Sequence, residues 1–205
     1  GEPRLRHYAV KASVFPFLKL PGVDSILGPE MRSTGEVMGI DRSYPAAVWK
    51  AFTAAGQRLP RKGNVFVSVC DKDKLVAAGL VMRLADLGFG VFATKGTAAV
   101  LRSQGIEVRP VYTISEKRSP DVLALMRAGE VQLVVNTPSE SSGARKDGYM
   151  MRRLAVELEI PIFTTVKGAS AAVMAMEHAS RNEITVSHLG SFGGGMPASS
   201  PSSGP

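Results

Sequence analysis

The chain has 205 residues, 44% of them hydrophobic, enough to bury a sizeable core as one domain, or as one domain with a fragment attached. It has no apolar run of roughly eighteen residues, which argues against a membrane-spanning helix, and its N-terminus has no signal-peptide core. The net charge of +7 is concentrated in residues 1–62, with ten Lys and Arg against five Asp and Glu, and aromatics make up only 6% of the chain; this excess reads as a solvated or partner-facing surface rather than a nucleic-acid interface.

The chain opens on Gly1 without an initiator methionine, as expected of a processed or excised piece. Tyr8 to Phe17 is strand-like and is followed by a loop-rich run through Pro21, Gly22, Gly28 and Pro29, so residues 1–40 cannot close a core by themselves. Ser43 to Ala55 reads as a helix capped by Ser43 and carrying Trp49 and Phe52, within a linker of residues 41–62.

Residues 63–189 read as repeated strand–helix units. The short β-rich runs are Val65 to Val69, Val91 to Ala93, Val108 to Tyr112, Val131 to Val135 and Ile160 to Thr164, with Ile184 to Ser187 as a short edge strand. Helical patterns lie between and after them at Lys74 to Leu87, Ala98 to Gln104, Pro120 to Arg127, Lys146 to Leu158 and Ala169 to Ala179. Continuous apolar strands alternating with amphipathic helices predict an α/β fold, a Rossmann-like parallel sheet of about five strands with helices on both faces. Residues 190–205, rich in Gly, Ser and Pro, are expected to be a disordered tail.

One stretch carries the strongest chemical signal. Val91 to Thr97 reads Val-Phe-Ala-Thr-Lys-Gly-Thr, a strand running straight into Thr-x-Gly-Thr with a helical pattern following at once. That order sets two hydroxyls, a glycine and free N–H groups at a helix N-terminus, where a phosphate is favoured. In parallel sheets ligands sit at the carboxyl ends of the strands, the edge that would gather Lys74, Thr94, Thr97 and Asn136. Other polar residues read more simply. Arg152 and Arg153 are expected on a helix surface or a domain contact, and Cys70, the only cysteine, as a core thiol in a reducing cytoplasm. His178 and His188 lack the spacing of a metal site, and no metal ligation is expected.

Two segments also carry a family likeness. Phe15 to Asp24 (Phe-Pro-Phe-Leu-Lys-Leu-Pro-Gly-Val-Asp) and Leu27 to Gly39 closely resemble the large subunits of carbamoyl-phosphate synthetase. In order after them come Ala93 to Thr97, Val135-Asn-Thr-Pro138 and Met151-Arg-Arg153, so the resemblance covers residues 8–189. It implies that residues 1–40 are the tail of an ATP-grasp domain, 41–62 a linker helix, and 63–189 the family's allosteric domain, whose fold is shared with methylglyoxal synthase. For the parent subunit it implies a cytoplasmic ligase that makes carbamoyl phosphate from bicarbonate, glutamine-derived ammonia and two ATP with Mg or Mn, for pyrimidine and arginine biosynthesis. It would work with a glutamine amidotransferase small subunit. The metal-binding carboxylates and the nucleotide loop of that chemistry precede residue 1 in the family's layout, so this piece is expected to be inactive alone, with no catalytic residue and no cofactor of its own.

The resemblance also assigns a site for a nucleoside monophosphate effector, UMP or IMP. Lys74, Thr94, Gly96 and Thr97 match the phosphate positions, Asn136 and Thr137 those facing ribose and base, and Lys117 is a candidate for a second lysine. Pro138 stands where the family has another Thr. Ala12 and Phe163 replace carboxylates of the ornithine site, so ornithine activation is not expected. The alternative reading is a stand-alone enzyme acting on dihydroxyacetone phosphate, as methylglyoxal synthase does. Ile114 to Arg118 and Asn136 to Pro138 depart from that enzyme's motifs, leaving Glu116 and Asp121 as candidate bases.

Overall fold

The computed structural model describes residues 6–14, 35–138 and 142–192. Two strands, β1 (Tyr8–Val14) and β2 (Gly35–Asp41), pair antiparallel with Tyr8 opposite Asp41 and Val14 opposite Gly35. They pack on α1 (Tyr44–Ala54), which in turn packs on the last helix, α6 (Val166–Arg181). Contact with α1 is close at Gly39, where a Cβ would overlap the Ala47 carbonyl and the Ala51 amide. Ser43 caps α1 by position, but its hydroxyl makes no capping hydrogen bond; its amide instead donates to Asp41 Oδ1 at 2.9 Å.

The main sheet is parallel, with spatial order β5-β4-β3-β6-β7. Its strands are β3 (Asn64–Ser68), β4 (Gly90–Thr94), β5 (Arg109–Val111), β6 (Leu133–Asn136) and β7 (Ile162–Phe163). The helices between them are α2 (Lys74–Asp86), α3 (Lys95–Ser103), α4 (Val122–Arg127) and α5 (Ser142–Glu157). The strands alternate between two cores. Val65, Val67, Val91, Leu133 and Val135 pack under α2, α3 and α6, whereas Phe66, Phe92, Val111 and Val134 pack under α4 and α5. Because each central strand is buried on both faces, it needs apolar residues at consecutive positions, which is the continuous pattern its sequence carries.

Helices α3, α5 and α6 extend further at their N-termini than periodicity alone indicates, whereas α2 begins at Lys74 as expected and α4 begins two residues late, at Val122. Thr94 and Thr165 adopt extended caps, so α3 and α6 begin at Lys95 and Val166 rather than at Ala98 and Ala169. Thr165 Oγ1 accepts from the Gly168 amide at 3.1 Å, satisfying one orphan donor of α6. The expected edge strand at Ile184 to Ser187 does not form. That segment pairs with no strand among the described residues, and Val186 is 96% exposed, leaving nothing to hold it against the sheet. A short 3-10 turn, Leu189–Phe192, runs into the expected tail, and residues 193–205 lie outside the described part. So do all of residues 15–34, and with them most of the two segments, Phe15 to Asp24 and Leu27 to Gly39, that carried the family likeness. No helix among the described residues is long and apolar enough to cross a membrane.

Candidate functional site

Chain order decides where a cleft opens. From the central strand β3 the chain moves one way to β4 and β5, then returns to β6 and β7 on the other side. The connections leaving the carboxyl ends of β3 and β6 therefore diverge, and a crevice forms between them. A cleft of about 380 Å³ lies there. Its walls are the end of β3 (Ser68 to Asp71), the β4–α3 junction (Thr94 to Gly96), the end of β6 (Asn136 to Pro138), the turn around Ile114, and one face of α5.

The β4–α3 junction forms one end of the cleft. Thr94 precedes α3 without using its hydroxyl to cap the helix; Thr94 Oγ1 instead donates to Thr97 Oγ1 at 3.2 Å. Thr97 is 1% exposed, and its oxygen also accepts from the Val69 amide at 3.4 Å. Thr97 thus ties the β3 and β4 ends together from beneath, while Thr94 and Gly96 line the cleft. Lys74, the first residue of α2, is not itself a lining residue, but brings Nζ to 3.2 Å from where a Cβ on Gly96 would sit. The glycine leaves room for the ammonium beside the N-terminus of α3. Lys74 Nζ also pairs with Asp71 Oδ1 at 2.6 Å. Asp71 is 95% exposed, and the hydrogen bond from Lys74 holds its carboxyl below the ordinary range.

At the other end, Asn136 and Thr137 are 5% and 4% exposed. Thr137 Oγ1 accepts from the Cys70 amide at 2.9 Å and donates to Cys70 Sγ at 3.4 Å. Cys70 is half-buried and lines the cleft, with Sγ donating to Asp73 Oδ2 at 3.0 Å. It is not the core thiol that its place beside an apolar strand indicates, because β3 ends at Ser68 and the chain turns outward there. Asn136 Nδ2 donates to the Ser68 carbonyl at 3.1 Å, and its Oδ1 accepts from Arg152 Nη1 at 2.7 Å.

Arg152 is a second correction. Only 4% exposed, it lines the cleft rather than the helix surface, while Arg153 beside it turns out to pair with Glu157 at 3.0 Å. The cleft-lining residues of α5 include Asp147, Gly148, Met151 and Arg152, a stripe at helical spacing. That spacing is the signal that could have found them: Asp147 and Arg152 interrupt an otherwise core-facing stripe. Asp147 Oδ2 accepts from the Ser115 amide at 3.0 Å and its hydroxyl at 2.7 Å, drawing the turn Ile114–Glu116 onto α5. The other side of that turn is held by Lys95, whose Nζ donates to Glu116 Oε1 at 2.7 Å. The hydrogen bond from Lys95 keeps the Glu116 carboxyl below its ordinary range, helped by the Thr113 amide. Lys117 ends the turn in the left-handed region at φ 53° and is exposed, outside the residues lining the cleft. Asp121 is the N-cap of α4, accepting from the Ala124 amide at 2.8 Å, and also lies outside the lining.

The cleft therefore has one end at the N-terminus of α3, with the Lys74 ammonium beside Gly96, and a far end built from an amide, a hydroxyl and a buried guanidinium. Such a site suits a phosphate ester with a polar appendage. No group of three or more His, Cys, Asp or Glu that could hold a metal ion occurs among the described residues.

Residues 77–164 match the family model described as an MGS-like domain. Over 92% of its length the chain is 49% identical to a Methanopyrus kandleri protein named carbamoyl phosphate synthase large chain, C-terminal section, and it covers 34% of that protein. It is 48% identical, over 90% of its length, to the protein of the same name from Methanocaldococcus jannaschii, of which it covers 30%. A Rubrobacter xylanophilus carbamoyl phosphate synthase large chain is 50% identical over 88% of this chain, which spans 17% of that relative. The chain thus spans about a third of the C-terminal sections it resembles, and less of the large chain.

Proposed function

We propose that this chain, which is similar over most of its length to the C-terminal sections of carbamoyl phosphate synthase large chains and matches an MGS-like domain, is the part of such an enzyme that senses a nucleotide. The ligand is a nucleoside monophosphate, UMP or IMP. Its phosphate lies at Thr94 and Gly96 beside Lys74, with Thr97 bracing the loop from beneath. Its ribose and base lie toward Asn136 and Thr137. Carbamoyl phosphate synthesis, with its two ATP and its Mg or Mn, then belongs to parts of the parent outside this chain, as does the contact with a glutamine amidotransferase small subunit. The role of this piece is allosteric, in pyrimidine and arginine biosynthesis in the cytoplasm, and residues 1–40 are the tail of an ATP-grasp domain.

The observation that carries the reading is the Lys74 ammonium, which lies 3.2 Å from the Cβ position that Gly96 leaves empty. An ammonium, a close-approach glycine and a helix N-terminus converge there at the switch point of a parallel sheet. Conversion of dihydroxyacetone phosphate is less well supported. It needs a carboxylate ready to take a proton, yet Glu116 is engaged by Lys95 and Asp121 caps α4. Lys117, exposed and outside the cleft lining, is left out of the proposed phosphate contacts; Lys74, also outside the lining, is kept because its ammonium lies beside Gly96, which does line the cleft.

Backbone NMR of the labelled chain tests the reading directly. On addition of UMP, the amides of Gly96, Thr97 and Ala98 and those of Asn136 and Thr137 should shift together. Inorganic phosphate should move only the first group. Shifts confined to some other surface would reject the site.

A further inference from the structure

Asn136 has to show the nucleoside end of a ligand one particular arrangement of donor and acceptor. A carboxamide is nearly symmetric in shape, so its oxygen and nitrogen ends need partners to tell them apart. Asn136 has two such partners. The Ser68 carbonyl can only accept, and it takes Nδ2 at 3.1 Å; the Arg152 guanidinium can only donate, and its Nη1 reaches Oδ1 at 2.7 Å. One N–H and one lone pair of the amide are left over, and Asn136 lines the cleft. Gly148 makes this possible. It lies one helical turn before Arg152 on α5, and a Cβ there would sit 2.7 Å from Arg152 Nη1 and 3.2 Å from Asn136 Oδ1.

We infer that Arg152 is a positioning residue for nucleoside recognition, setting which way the Asn136 amide faces, and that Gly148 is the gap that lets its guanidinium reach across. The inference rests on the nucleotide reading above and adds to it a residue whose effect is felt only beyond the phosphate. It makes Asn136 a relay between α5 and the ligand rather than a free contact.

The test titrates the whole chain with UMP and, separately, with inorganic phosphate. Gly148→Ala is the central variant. Alanine is the better helix former, and the atom it crowds is the mobile end of an arginine, so the fold and its melting temperature should hold. UMP binding should nevertheless weaken about three- to tenfold, the range expected for one hydrogen bond, while phosphate binding stays nearly unchanged. Arg152→Lys keeps the charge but loses the planar donor fork, and should weaken UMP binding similarly. Combined with Asn136→Ala, Gly148→Ala should cause no further loss, since both remove the same contact. Additive losses, equal weakening of UMP and phosphate, or full affinity in Arg152→Lys would overturn the inference. If the wild-type chain binds phosphate but not UMP, the nucleotide reading itself fails and takes the inference with it. Wild-type UMP binding that Gly148→Ala leaves intact defeats the inference alone.

Discussion

Lys74 stands between two anions, one present and one proposed. Its Nζ is 2.6 Å from Asp71, which is almost wholly exposed, while its own side chain is 19% exposed. A surface carboxylate on such a lysine adds little stability, but it is well placed to compete with a phosphate for the same ammonium. Lys74→Ala should therefore weaken nucleotide binding about ten- to a hundredfold, the worth of a charge-assisted hydrogen bond. Asp71→Asn should do the reverse and tighten binding a few-fold, a change readable by calorimetry. Weaker binding in Asp71→Asn would mean that the carboxylate orients the lysine rather than competes for it. Lys74, Thr94, Gly96 and Asn136 were legible in the sequence, because each sits where a strand gives way to a turn or helix. Arg152 was not. Its neighbour Arg153 has the same charge, and only the position of the helix face separates a buried guanidinium from an exposed one.

Among the elements, a polar bridge joins two packed helices, and its pH dependence follows from its chemistry. Arg83 on α2 donates to Glu177 on α6 through Nε at 2.7 Å and Nη2 at 2.6 Å. This contact lowers the Glu177 carboxyl below its ordinary range, against a smaller cost of burial. The native state thus favours the charged glutamate. The bridge contributes above the unfolded-state carboxylate pKa and is lost as pH falls through the lowered native value. Because both side chains are partly exposed, about 0.5–1 kcal/mol is at stake. Glu177→Gln should lower stability to denaturant at neutral pH by that amount and leave it little changed at strongly acidic pH; an equal deficit at both would assign the effect to packing. Gly39 offers a second check, at the seam between β2 and α1. Gly39→Ala puts a methyl group into the backbone of α1 and should cost about 1–3 kcal/mol, seen as a lower melting temperature. Strand positions were readable because burial on both faces leaves continuous apolar runs. Helix starts were harder to place, since Thr94 and Thr165 end one element and begin the next. The false edge strand had β-type residues but no neighbour to pair with.

At the scale of the whole molecule, the β1–β2 pair touches the rest through α1, and a two-stranded antiparallel unit is marginal alone in water. Val10 on β1 is partly buried against the main core. Removing residues 1–40 should still leave residues 63–189 folded, because both faces of the parallel sheet are covered without β1 and β2. Hydrogen exchange should find the β3, β4 and β6 amides protected in that shortened chain, with protection reduced along α1. Loss of protection across the sheet would mean that the N-terminal strands are part of one cooperative unit.

The central claim is that the cleft at the ends of β3, β4 and β6 recognises a nucleoside monophosphate. Calorimetric titration of the folded chain with UMP, IMP and ornithine, repeated with Lys74→Ala, tests it most directly. Heat of binding is expected with at least one nucleotide and none with ornithine, and the nucleotide affinity should fall about ten- to a hundredfold in the variant. No heat from either nucleotide at about millimolar concentration, or binding that Lys74→Ala leaves untouched, would contradict it.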